Sequence, residues 1–344
     1  MRTYGGDAQP RLGKYLLCLT VYCSIPLIQS CGGGSGSGSA PSTTKRAYVT
    51  NSGGGTISVI DTTNNTVIAT INVGGSPAAI AVDPQANRAF FTDLSAPNIS
   101  VLDTSSNSEL SPISAGAIPL AGLAIDTVAK KLYAAEFSDA PGQTGNVSVI
   151  NTANSAVTPF AAGRKLQDFA VDSITGRAYV TDFGDGAPGN GSVKVIENNA
   201  VLTSISSGTQ SHGVDVNPSA SRLYVTNLGD NTVSVFNTLT NTIVTTVNVG
   251  NTPQAVAVYP AIARAYVTNE ADNTVTVINT GNNTTVTTVN VGNSPQGLAV
   301  DTASRMVYVT NASSNSVSVI DSGNNTVVAT IAVGSQPVRV AIAP

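Results

Sequence analysis

His212 is the single histidine in 344 residues, so proton transfer near neutral pH would have to run through it. It does not stand alone. Gln167, His212, Gln254 and Gln296 take matching places near the start of four short apolar segments, where the three sister segments carry Ala78, Ala121 and Val338. One residue further on, Asp168 and Arg339 stand where the sister segments have Ala or Gly. Three amides, an imidazole, a carboxylate and a guanidinium converging on a concavity would make a polar ligand site. The competing reading is a wet rim whose amides hold ordered water. Asp215 is a further departure, because the matching positions are Ala81, Ala124, Ala170, Ala257, Ala299 and Ala341. A carboxylate in that series must be hydrated or paired. No residue is assigned a catalytic role.

Two loops offer a second chemistry. Residues 136–146 and 182–192 are enlarged, and their acids match in pairs, Glu136 with Asp182 and Asp139 with Asp185. A hard divalent cation wants several carboxylate and carbonyl oxygens, so these four are the candidate metal ligands. Against that stands a plainer reading, two polar turns neutralised by Arg164 or Lys165 and solvent. The spacing matches no EF-hand. No H-E-x-x-H, G-x-S-x-G or phosphate-loop pattern is present, a metal triad would need a second histidine, and no cofactor is expected.

These residues are carried by a repeat. Strands beginning at Tyr48, Phe90, Tyr133, Tyr179, Tyr224, Tyr266 and Tyr308 recur at intervals of 42 to 46 residues. A period of that length, made of strand-sized apolar runs and Asn/Gly turns, predicts propeller blades. In one period the strands are 253–260, 264–269, 274–279 and 285–290, named A to D from the axis outward. The seven A strands are 77–84, 120–126, 166–172, 211–218, 253–260, 295–301 and 337–344. The domain opens on a B strand (46–51) and closes on an A strand, so the C-terminal A strand must pair with the N-terminal B strand to complete one shared blade. The expected fold is all-β, a seven-bladed β-propeller of four-stranded antiparallel blades. The A–B and C–D turns share one face and are monotonous Asx turns. The D–A and B–C loops share the other face, vary between blades and mark the expected binding side.

Tyr48-Val-Thr-Asn51, Tyr224-Val-Thr-Asn227, Tyr266-Val-Thr-Asn269 and Tyr308-Val-Thr-Asn311, each followed by a Thr/Ser-Val-Ser/Thr-Val strand, resemble the YVTN β-propeller repeats. Such repeats occur in surface-layer and YncE-like periplasmic proteins and are related to cytochrome d1-type and lactonase-type propellers. The resemblance covers residues 45–344 and implies the fold, but no single reaction. Lactonase-type propellers use a cluster of His, Arg and Glu, of which His212 and Arg339 are the fragments found here.

Residues 1–30 read as a signal peptide, with Arg2, Arg11 and Lys14 before an uncharged apolar stretch at 15–28 that is too short to span a bilayer. Ile28-Gln29-Ser30-Cys31 resembles a bacterial lipobox, which makes Cys31 the lipidation site. Residues 31–44, rich in Gly and Ser, form a flexible tether, and residues 45–344 form the propeller. Cleavage before Cys31 leaves one cysteine and excludes an intramolecular disulfide. The net charge of −4 for the full chain argues against nucleic acid as a partner. The expectation is a lipid-anchored cell-envelope propeller, monomeric, acting as a binding or interaction scaffold. It would meet a protein or small polar ligand on the D–A/B–C face and the membrane only through the lipid. Two alternatives are a lactonase- or lyase-like enzyme working through His212 at the channel mouth, and a self-associating structural surface protein.

Overall fold

The computed structural model describes residues 45–116, 120–137 and 144–343. Residues 1–44, with Cys31, and Asp139 lie outside the described residues. From Arg46 to Ala343 the chain forms seven four-stranded antiparallel sheets. It is an all-β seven-bladed propeller, and each blade runs A to D outward from the axis. We number the blades so that blade 1 holds both ends of the ring. Its inner strand is Pro337–Ala343, followed outward by Arg46–Asn51, Thr56–Asp61 and Thr66–Asn72.

The closing register runs Arg46↔Ala343, Ala47↔Ile342, Tyr48↔Ala341, Val49↔Val340 and Thr50↔Arg339, then slips at a bulge to Asn51↔Pro337. Backbone bonds from Ser52 N–H to Gln336 O (3.0 Å) and Gly53 N–H to Ser335 O (3.2 Å) extend the zipper into the flanking loops. The inner strands end one residue earlier than the proline-bounded segments suggest. They finish at Asp83, Asn217 and Tyr259. A proline has no N–H for the ladder and a fixed φ, and Pro218 and Pro260 instead open short 3-10 turns.

Alternation along each B strand sends successive side chains to opposite neighbours. Tyr48 packs with Ile80, Val82 and Phe91 of blade 2. Ala47 and Val49 pack with Tyr308, Val317 and Val319 of blade 7. The described residues form seven apolar clusters, one at each seam between neighbouring blades.

The Thr at the third place of the Tyr-Val-Thr-Asn motif clasps five of the seven seams. Thr50, Thr181, Thr226, Thr268 and Thr310 donate their hydroxyls to Ala78 O (2.6 Å), His212 O (2.5 Å), Gln254 O (3.1 Å), Gln296 O (3.1 Å) and Val338 O (2.9 Å) of the next blade. The same oxygens accept an N–H from the bulge of their own inner strand, at Arg339, Asp168, Gly213, Ala255 and Gly297. The Asn turns outward, and its amide donates to two hydroxyls of strand C, as Asn227 does to Thr232 (3.0 Å) and Ser234 (2.9 Å).

Most C–D and A–B turns are Asx turns as expected; the A–B turn of blade 6 opens instead on Tyr259, which makes no side-chain cap. Asp83 accepts from Gln85 N–H (3.1 Å) and Ala86 N–H (3.2 Å), and Asp61 from Thr63 N–H (2.8 Å). Asn65, Asn87, Asn241, Asn283 and Asn325 take the left-handed backbone these turns need. Among the described residues no helix is long and apolar enough to cross a membrane.

Two outcomes test these seams. Removing residues 337–344 strips the partner from strand Arg46–Asn51 and is expected to lower the melting temperature by on the order of 10 °C or more; calorimetry showing an unaltered transition would contradict the closure. Thr226→Val leaves the shape but unpairs Gly213 N–H and leaves Gln254 O with the His212 Nδ1 donor alone, and should cost about 1–3 kcal/mol in urea unfolding.

Candidate functional site

At the axis the seven inner strands converge, and the polar departures from the repeat meet there. Asp168 lies on the inner strand of blade 4 (Leu166–Asp172) and Arg339 on that of blade 1. These blades sit on opposite sides of the ring, yet Arg339 Nη2 lies 3.4 Å from Asp168 Oδ2. The ion pair is a bar across the channel. Asp168 is steadied by its own strand, since Oδ1 accepts from Phe169 N–H at 2.9 Å. Thr181 fixes its backbone and that of His212 together.

Glycines let the strands that carry both charged residues lie close to the preceding blade. A Cβ on Gly122 in blade 3 would collide with Gln167 O and lie 3.1 Å from the Asp168 Cα. A Cβ on Gly297 in blade 7 would lie 2.5 Å from Val338 O and 3.0 Å from the Arg339 Cα. Such approaches are closer than side-chain carbons tolerate, so the glycine of the preceding blade is part of each site.

Beneath the bar is a cavity of about 330 Å³. Asp168, Arg339 and Asp215 supply its charged wall, while Val214, Ala257 and Ala299 supply apolar wall. It reaches Thr302, in the A–B turn of blade 7, on the face away from the D–A loops. Gln167, His212, Gln254 and Gln296 do not line this cavity; they lie above the bar, towards the D–A loops. His212 Nδ1 is 3.0 Å from Gln254 O. A carbonyl can only accept, so Nδ1 carries the proton and Nε2 keeps its lone pair. The Gln254 side chain turns away from the axis, is buried, and donates Nε2–H to Glu270 Oε2 in the adjoining B–C loop. Gln167 and Gln296 remain half-buried on the rim. Sequence comparison missed Glu270, which stands in an ordinary turn and gains meaning only from Gln254.

Asp215 is satisfied by backbone. Its Oδ1 accepts from Val216 N–H (2.8 Å) and its Oδ2 from Val258 N–H of blade 6 (2.7 Å). Burial pushes its pKa up from 3.8 to about 7, against the pull of those two N–H groups and with help from the Asp168 charge. Burial pushes His212 down from 6.5 to about 4, and Arg339 adds to this, while the Gln254 carbonyl and Asp168 oppose it. The imidazole is therefore neutral at pH 7.

The loop acids stand apart from the axis. Glu136 is buried and accepts from Asn146 Nδ2 at 2.9 Å. Asp182 pairs with Lys194 Nζ at 3.3 Å and accepts from Gly184 N–H. Both occupy the place that Asn holds in the Tyr-Val-Thr-Asn blades, and like that Asn they engage strand C of their own blade. Asp185 is exposed and accepts from Ala187 N–H at 3.0 Å. Among the described residues no group of three His, Cys, Asp or Glu side chains is placed to hold a metal ion.

Residues 184–290 match the model of a family described as lactonase, 7-bladed beta-propeller. No curated protein matches the chain. Among solved structures it is similar to a functionally unknown protein from Desulfotomaculum acetoxidans, at 15% identity and a TM-score of 0.74, over 86% of this chain and 98% of that one. It is also similar to Kuenenia stuttgartiensis hydrazine synthase, at 16% identity and a TM-score of 0.72, over 80% of this chain and 91% of that one. At such identities the likeness is one of fold.

The two shifted groups give opposite pH slopes. Between about pH 4 and 7 the native chain holds a proton on Asp215 that the unfolded chain has lost, so rising pH removes stability. Between pH 6.5 and about 4 the unfolded chain protonates His212 and the native chain does not, so falling pH removes stability. Asp215→Ala restores the residue of the other six blades. Its stability relative to the parent should grow as pH rises from about 4 to 7 and then level off. Parallel urea-midpoint profiles for the two proteins would rule this out.

Proposed function

We propose that this chain is an exported, lipid-tethered propeller of the YVTN-repeat type that binds a small polar molecule in its central channel. The observation that carries the reading is that three charged departures from the repeat, Asp168, Asp215 and Arg339, line one cavity. A scaffold that merely closed a ring would keep Ala or Gly at those positions, as the other blades do. Charged groups at the axis cost stability and are kept where they do something else.

Native mass spectrometry after incubation with a small-metabolite extract tests this. The parent protein is expected to retain a bound small molecule, and the Asp168→Asn, Arg339→Gln double variant to release it. A parent that retains nothing would sink the channel-binding reading. The envelope address rests on the segment around Cys31. Cys31→Ser should abolish incorporation of labelled fatty acid, and unchanged labelling would remove that part of the proposal.

A second reading has one specific support, the lactonase-family match over residues 184–290, which contain His212 and Asp215. His212 Nε2 is free to act as a general base. It would take a proton from water as the water oxygen bonds to the carbonyl carbon of a cyclic ester, whose ring C–O bond then breaks, and the alkoxide leaves with a proton. With a panel of γ- and δ-lactones, this reading expects turnover that falls by about 10²–10⁴ in His212→Ala. Absence of turnover, or turnover indifferent to His212, removes it.

A further inference from the structure

The charges around the channel cavity do not balance. Asp168 and Arg339 neutralise one another through a single long contact of 3.4 Å. A guanidinium has five donors, and among the described residues no other acceptor bonds to that of Arg339. Asp215 faces the same cavity, holds only two backbone N–H groups, and has no cationic partner among the described residues. The void thus presents unused donors on a cation and an acid without a counter-ion.

We propose that the cavity binds a small zwitterion, with its ammonium against Asp215 and its carboxylate against Arg339. The inference rests on the channel-binding reading above and adds the ligand class. A simple anion would meet Arg339 but also two carboxylates. A simple cation would meet Asp215 and leave the guanidinium donors unspent. A ligand carrying both charges satisfies each end and adds no net charge to a low-dielectric wall, where an unmatched charge is costly. The size agrees: 330 Å³ is room for about ten water molecules at roughly 30 Å³ each, which suits a short-chain aminocarboxylate and not an oligomer. The apolar Val214, Ala257 and Ala299 give the intervening methylenes a dry wall.

Isothermal calorimetry on the purified full chain at about pH 7.5 tests this with β-alanine, γ-aminobutyrate and 5-aminopentanoate, set against butyrate and butylamine. At least one aminocarboxylate should bind tenfold or more tighter than either single-charge analogue. Asp215→Ala, the residue of the other six blades, should erase that preference while still melting in one cooperative transition. Arg339→Gln should weaken aminocarboxylate and butyrate alike. The proposal is overturned if no aminocarboxylate binds, if butyrate or butylamine binds as tightly, or if Asp215→Ala keeps the preference. Butyrate or butylamine that binds as tightly as the aminocarboxylates, and through Arg339 or Asp168, would overturn the zwitterion while leaving channel binding in place.

Discussion

Among the described residues no blade owns a core. Every apolar cluster straddles two neighbouring blades, because each sheet buries both faces against others and nothing within itself. That constraint explains the closing strand, the alternation of the B strands and the Thr clasps. Each Thr hydroxyl spends one bond on its own bulge and one on the next blade, so a local irregularity and a long-range seam share one atom. Repeat proteins in general gain stability from such nearest-neighbour terms. A ring also needs the last term to be present, and here strand Pro337–Ala343 supplies it.

The functional candidates arise where this regularity is broken at the axis. Inner strands converge, so Ala and Gly are the default. Gly122 and Gly297 in the preceding blades let the strands bearing Asp168 and Arg339 approach closely, as Gly213 does for the strand bearing Ala255. Asp215 fits because it bonds backbone N–H groups that the inner edge of a sheet leaves open. The ion pair then divides the channel into a rim bearing His212 and a cavity bearing Asp215.

Much of this was legible before any coordinates. The Tyr-Val-Thr-Asn period gave the blade number, and a chain that opens on a B strand and ends on an A strand can close in only one way. Which side chains reach the axis was harder to read. The register slips at the start of each inner strand, as between Pro253 and Val256, and a bulge shifts the in–out phase. So Gln254, placed on the channel rim by alternation, points instead to Glu270, while residues one place further on face the cavity. Asp168 and Arg339 were singled out together as parts of one rim, but their direct pairing depends on the channel's width, which no spacing in the chain encodes. The paired loop acids looked like ligands because their types match. Their matching positions reflect the shared place of the Asn in the repeat, which three blades fill with an acid, Asp93, Glu136 and Asp182.

Blade 3 carries Ala135 where the other six carry Thr, and Thr92 of blade 2 bonds Ala79 N–H of its own bulge with no bond to blade 3 among the described residues. Its seam with blade 4 holds by side-chain packing and strand contact, without the hydroxyl rivet. The bar from Asp168 to Arg339 anchors blade 4 instead to the blade that contains both termini. Among the described residues blade 3 therefore lacks that clasp at both of its seams, and a load on the ring reaches blade 4 through the bar as well as through its neighbours.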